Sequence, residues 1–291
     1  MKTVLTMLLF LASACSAQQI AVGKDSDLTA VLTKRYADQT LRLRQAVAKD
    51  SQTYDATGKL LSPGEEGPWT LYAGVSPTSF SLSDEELRIQ GDRILFVFDS
   101  NRRLMVPEKT DQRLQVIIRL AKPLASPEDA EPLLHSVFAM NNDELSDSVP
   151  DFWKPYLSKE AENSRAAMKQ KWGSSQRKKS RRGGQRRPRE ADVFFVDGKE
   201  VHAPEATFTP DPSYTEVARD RSLQGSVVID AIVDDTGKVL RPQIIWPLGM
   251  GLDEKAIETI QTWRFKPATR NGQPVKVEMA VEISFKLYWG R

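Results

Sequence analysis

Cysteine and histidine are nearly absent from this chain. Of its 291 residues one is cysteine, Cys15, and two are histidine, His135 and His202. So few soft ligands exclude a metal site built of Cys and His, and no cofactor-binding motif stands in its place. A nucleophile–histidine pair would have to recruit one of two histidines that fall in different parts of the chain. His135 sits on an expected helix beside apolar neighbours, where a surface or packing role is the ordinary one. Gly249–Met250–Gly251 is too short for a phosphate loop. The adjacent acids Asp234–Asp235 and Glu65–Glu66 lie in Gly-containing stretches, where such pairs serve turn geometry. Long apolar runs are also missing. The mainly apolar Val4–Ala14 is too short for a bilayer span, which needs about 20 residues. Nothing in these patterns specifies an enzyme.

What is present begins with an export signal. Lys2 supplies the positive charge, Val4–Ala14 the apolar stretch, and Ala14 and Ala17 the small residues before a cleavage site, giving a signal peptide over residues 1–17. The mature protein is then expected in the periplasm or cell envelope. If cleavage follows Ala17, Cys15 is discarded and the mature chain has no thiol, which suits an oxidising compartment. The alternative is cleavage before Cys15 with lipid on its sulfur, because Leu11–Cys15 resembles a lipobox with Leu11 one place too early.

The formal net charge of +2 conceals a segregation. Between Arg165 and Arg189 stand eleven Lys/Arg and no acid, which leaves 30 basic against 39 acidic residues, a balance of −9, elsewhere. Residues 164–190 lack apolar periodicity and read as a disordered basic linker, a solvated tether. Contact with anionic lipid or wall polymer is the alternative. Nucleic acid is not expected, since no aromatic interleaves the arginines after Trp172 and the chain is exported.

Residues 24–160 read as a mainly β domain. Candidate strands are Thr40–Arg44, Trp69–Val75, Leu87–Gln90, Arg93–Phe98 and Leu114–Leu120, with Gly91–Asp92 at hairpin spacing. Ser126 and Pro127 open a helix over Pro127–Met140, and Asp151–Leu157 looks like an apolar clasp closing this domain. Residues 195–291 form the second domain. Tyr214–Ser222 suits a short helix, Gly225–Val233 and Val239–Trp246 two strands around the turn Asp234–Gly237, and Leu252–Trp263 a helix with one apolar face. Trp263 lies on that face, so core packing is the expected role of Trp246, Trp263 and Phe265. Val275–Leu287 alternates strictly, apolar at odd positions over thirteen residues. At ~3.3 Å per residue that is about 43 Å of strand with one face on a core and one in water.

Three stretches, DPSYTEVARDRSLQG at Asp211–Gly225, DDTGKV at Asp234–Val239 and GMGLDEKAIETIQTWRFKPA at Gly249–Ala268, are together similar to the C-terminal domain of the energy-transducer TonB family. The resemblance covers about Val201–Leu287. It implies an α+β fold, a helix–hairpin–helix–strand arrangement on a three-stranded antiparallel sheet. It also implies that the last strand takes a short receptor segment at its edge. Tyr214, Val277, Glu278, Met279, Ala280 and Val281 are then the expected partner-binding residues. The chain departs from the family in its leader, which reads as cleavable, in its short basic spacer, and in Thr215, where a proline usually follows the tyrosine.

The reading that follows is a non-enzymatic exported protein that binds an outer-membrane receptor or other extended peptide by strand addition, in a scaffolding or auxiliary transport role. Its alternatives are an active energy transducer and a wall-associated structural protein held by the basic linker. Val193–Val196 folding back, or a second copy of the domain as a homodimer, are the rival occupants of the strand edge. The leader separates the first two functions. Mass spectrometry of the mature protein is expected to find its N-terminus at Gln18 or at a lipid-modified Cys15. An intact Met1–Lys24 on membrane-bound protein would favour the transducer.

Overall fold

The computed structural model describes residues 28–102, 104–157 and 192–287. The expected leader, Cys15 and the basic segment 164–190 lie outside these residues. The fold is α+β and mostly sheet. A helix, α1 (28–36), precedes the short strands β1 (Leu41–Leu43) and β2 (Ser51–Tyr54). A helical turn, α2 (Trp69–Tyr72), leads into three long strands, β3 (Gly74–Leu82), β4 (Glu86–Asp99) and β5 (Leu104–Arg119). Helix α3 (Pro127–Val137), strand β6 (Phe138–Ala139) and the short helices α4 (Asn142–Ser146) and α5 (Lys154–Leu157) follow. The first sheet has the order β2-β5-β4-β3-β1-β6, antiparallel except where β2 meets β5.

Two sequence expectations change here. Trp69–Tyr72 is helical rather than extended. Trp69, Thr70 and Leu71 are all buried, a pattern that a strand with one wet face does not allow. Gly91–Asp92 is no turn, because β4 runs straight through it. Gly91 lies opposite Pro77 on β3, and a β-carbon there would collide with the Ser76 carbonyl. Asp92 is buried and holds Lys109 Nζ at 2.5 Å and Arg113 Nη1 at 2.7 Å, both from β5. Both residues are explained by neighbouring strands that sequence spacing does not reveal. A bulge between Asp92 and Ile94 shifts the pairing of β4 with β5. Before it the buried apolar side chains are Leu87 and Ile89, and after it Ile94, Phe96 and Phe98 are buried. The first set is at odd positions and the second at even ones, so they lie on opposite faces of β4.

The two stretches of β4 meet two cores. Leu87 and Ile89 pack with Leu114, Val116 and Ile118 beneath α1 and α3, through Leu28, Leu32, Ala130 and Leu134. Ile94, Phe96 and Phe98 belong to a second cluster that they share with the C-terminal part of the chain.

That part contains a second sheet. Short strands β7 (Val193–Phe195), β8 (Val201–His202) and β9 (Glu205–Phe208) precede helix α6 (Glu216–Asp220). Then come the hairpin β10 (Gly225–Val233) and β11 (Val239–Trp246), and helix α7 (Leu252–Thr262). Strands β12 (Arg264–Lys266), β13 (Ala268–Arg270) and β14 (Gln273–Phe285) close the chain. Thr215 caps α6, its side chain accepting from Ala218 N. The sheet order is β11-β10-β14-β13-β8, with β7 alongside β14, so it is wider than the three strands expected. No helix among the described residues is long and apolar enough to cross a membrane.

The two sheets meet at the loop before α7. Met250 N donates to Phe96 O and Phe98 N to Leu248 O, each at 3.2 Å. Gly251 N reaches Thr70 Oγ1 at 2.9 Å. Gly249 has φ +96°, and a β-carbon on it would lie 2.5 Å from Phe96 O. The Asp151–Leu157 segment closes this junction rather than the first sheet alone. Ile244 N donates to Phe152 O at 2.8 Å and Trp153 Nε1 to Glu254 Oε1 at 2.9 Å. Phe98 meets Trp246 edge-on at 4.8 Å.

Each large apolar side chain fully buried at this junction contributes roughly 1.5–3 kcal/mol. Trp69, Phe96, Phe98, Trp153, Tyr156 and Leu157 are six such residues on the first side alone. Their sum exceeds the lower part of the ~4–15 kcal/mol cost of association. Two co-expressed pieces, 18–160 and 191–291, are therefore expected to co-purify and co-elute in size-exclusion chromatography. Gly249→Val is expected to separate them. Independent elution of the unmodified pieces would mean that the shared cluster does not hold them.

Candidate functional site

A strand that ends its sheet exposes a row of N–H and C=O groups, and β14 does so along part of its length. Its inner neighbour β10 pairs antiparallel over the whole stretch from Val277 to Phe285. On the outer side β13 takes Gln273, Pro274 and Val275, and β7 takes Lys276, Val277 and Glu278 in parallel register. Residues 279–285 pair with no outer strand among the described residues.

The side chains of β14 follow the alternation of the sequence. Val277, Val281, Ile283 and Phe285 are buried, while Ala280, Glu282 and Ser284 are exposed. Glu278 breaks the pattern, being only 4% exposed on the otherwise polar face. Of the residues expected to meet a partner, Val277 and Glu278 lie where β7 already pairs, opposite Phe194 and Phe195. Met279, Ala280 and Val281 lie just past its end. Tyr214 stands elsewhere, edge-on to Phe285 at 5.4 Å. Its hydroxyl is buried with no hydrogen-bond partner, and burial pushes the phenol pKa up.

Residues 210–287 match the TonB_C family model, described as Gram-negative bacterial TonB protein C-terminal. The chain is 34% identical over 77 residues to the Protein TonB of Vibrio cholerae serotype O1 (strain ATCC 39315 / El Tor Inaba N16961). That alignment covers 26% of this chain and 32% of the relative, so the chain spans about a third of the curated relative's length. A solution NMR structure of the Pseudomonas aeruginosa TonB CTD aligns over 35% of this chain and all of its own, at 17% identity and a TM-score of 0.27. The C-terminal segment is TonB-like. The family model matches residues 210–287, about a quarter of the chain.

The TonB-like segment holds a second polar feature at the junction. Asp253 and Glu254 open α7. Asp253 is fully buried and accepts from Leu248 N at 2.7 Å and Gly249 N at 2.8 Å, which fixes the loop lying on β4. Burial raises its pKa to about 6, against the opposing pull of those two N–H donors. Burial, followed by the nearby charge of Asp253, raises Glu254 further, to about 8. A cavity of about 90 Å³ opens beside Glu254, lined also by Leu43, Gln45, Trp69 and Val149. Glu254 Oε2, Gln45 Oε1 and Trp69 Nε1 are each buried without a hydrogen-bond partner. The lining of the cavity is otherwise mostly apolar. Sequence reasoning missed this feature because Asp253–Glu254 reads as an ordinary acidic first turn of a helix. Its burial depends on Trp153, which lies about a hundred residues away.

The remaining candidates stay apart. His135 and His202 are both exposed, on α3 and β8. Asp234 serves its turn, its Oδ1 accepting from the N–H groups of Thr236 and Lys238. Trp263 is half-buried and donates to Pro210 O at 3.2 Å. Among the described residues no group of three His, Cys, Asp or Glu is placed to hold a metal ion.

A carboxyl that binds its proton more tightly folded than unfolded loses stability as pH climbs between its two pKa values. For Glu254 that window runs from about 4.5 to about 8, and Asp253 adds a slope of the same sign from about 3.8 to about 6. The melting temperature is expected to fall between pH 5 and 8. Glu254→Gln keeps an acceptor for Trp153 and is expected to make that fall shallower, which thermal unfolding across that range would measure.

Proposed function

We propose that this chain is a non-enzymatic cell-envelope protein with an auxiliary or scaffolding role in transport. Its TonB-like segment captures an extended segment of a partner protein by strand addition to β14. The observation that carries this reading is the outer edge of residues 279–285, which lies beyond β7 and pairs with no strand there among the described residues. A strand added at such an edge gains affinity from main-chain hydrogen bonds. The match of residues 210–287 to the TonB C-terminal family supports an outer-membrane receptor as the source of that segment.

Backbone recognition makes side chains on the polar face of β14 nearly irrelevant. Ala280 is exposed and lies opposite Asp230 of β10. Ala280→Ser is therefore expected to change the affinity for a receptor segment by less than twofold. Ala280→Pro removes a ladder donor and cannot sit between two strands. It is expected to weaken capture at least tenfold, or ~1.4 kcal/mol, with circular dichroism showing that the protein is still folded. Hydrogen exchange is the direct measurement: amides of 279–285 that turn over quickly alone should slow when the receptor segment is added. Strong protection of all of them without a partner, unchanged by one, would refute strand addition here.

A further inference from the structure

We propose that residues 192–195 are a built-in competitor for the partner edge of β14, so that a partner strand gains residues 276–278 only by displacing the chain's own β7. This rests on the strand-addition reading and adds its regulation. Strand β7 lies on the side of β14 opposite β10, on the same edge as residues 279–285. Any strand that extends along that edge toward the N-terminus of β14 runs into it.

The contacts that hold β7 are specific but few. Val193 is 2% exposed and supplies the one fully buried side chain of the strand. Asp192 pairs with Lys276 Nζ at 2.7 Å, the Asp192 side chain largely open to water and that of Lys276 partly so. Exposed ion pairs of this kind contribute little. The Arg270 guanidinium covers the Phe194 ring at 4.9 Å. A parallel strand of three residues supplies few ladder bonds, and parallel pairing is the weaker kind.

The end of β7 is tied down more firmly than β7 itself. Asp197 Oδ1 accepts from the N–H groups of Lys199, Glu200 and Val201 at 2.8, 3.0 and 2.9 Å. Strand β8 then pairs with β13, and Glu200 binds Arg270 at 3.0 Å. A displaced β7 therefore stays within a few residues of its site. A tethered competitor acts at high effective concentration even when its own contacts are weak. The affinity of an added strand is lowered by the fraction of time for which the edge is covered.

The test uses the full chain and a synthetic peptide with the sequence of residues 191–197, ADVFFVD, as the added strand. Val193→Asp should open the edge by placing a charge in the buried position. Asp192→Lys should open it more mildly by reversing the ion pair with Lys276 and leaving the core untouched. Hydrogen exchange is expected to show the amides of 276–278 protected in the unmodified protein and at least tenfold faster in Val193→Asp, with α7 unchanged as the sign of an intact fold. The peptide, followed by NMR shift changes on β14, is expected to bind the opened variants at least tenfold more tightly than the unmodified chain. Unchanged protection of 276–278 in both variants would overturn the competitor. So would a peptide affinity that does not rise, whether equal in all forms or undetectable in all. Failure of the Ala280→Pro test with 276–278 still responding would instead remove the partner and leave β7 as a structural strap.

Discussion

The loop Leu248–Gly251 lies directly on the backbone of β4, and the relation between the two sheets depends on that contact. Main chain meets main chain through Met250 with Phe96 and Phe98 with Leu248. This is possible because Gly249 has no side chain to hold the strands apart. Polar backbone groups brought together in a core have to satisfy one another, since each one left unpaired costs about 1–3 kcal/mol. Asp253 completes the arrangement by taking the N–H groups of Leu248 and Gly249 from below. The aromatic residues around the loop then exclude water from it: Trp69 and Trp153 edge-on at 5.3 Å, Phe98 and Trp246 at 4.8 Å. A buried carboxylate is normally a liability, and here it is tolerated because it orders the loop that joins the two cores.

Strand β4 is the element that makes one body of two sheets. Fourteen residues is long for a strand, where five or six are usual, and a single flat face of that length would need a single flat core. The strand is shared between two cores instead. The first half lies under α1 and α3, and the second half faces the TonB-like segment. Arg93 stands at the division, 2% exposed, with its guanidinium bonded to the Tyr72 and Lys49 carbonyls. A buried guanidinium without partners would be expensive, so these carbonyls are part of what holds Arg93 in place.

Local signals were legible in the sequence and long-range ones were not. The alternation of Val275–Leu287 places Val277, Val281, Ile283 and Phe285 in the core because a strand's side chains alternate by geometry alone. The turn at Asp234 was legible because its carboxylate bonds its own backbone two and four residues on. The same pattern at Asp55–Lys59, with Asp55 Oδ1 holding Thr57 N and Lys59 N, passed unnoticed in a less periodic stretch. Gly91–Asp92 misled because a glycine that allows a close neighbour and a glycine that allows a turn are the same letter. The residues expected to meet a partner were legible only as positions on a strand. That Val277 and Glu278 are already paired on their outer side was not, since β7 lies some eighty residues earlier.

The edges of the second sheet show what the first one does for it. A sheet has two outer strands, and each is a template for unwanted pairing unless something covers it. Strand β11 is one of them, and its backbone is engaged at Ile244 by the Phe152 carbonyl of the first half of the chain. Trp246, at the end of the same strand, packs on Phe98. Leu240 remains 40% exposed toward the other end, so the cover is strongest near the junction. Strand β14 bounds the rest, and β13 and β7 cover it as far as Glu278. Among the described residues, what stays unpaired on the outer side of β14 is one stretch of seven residues, 279–285. The first half of the chain thus covers the β11 edge near the junction, and a C-terminal segment without that half would leave this edge open.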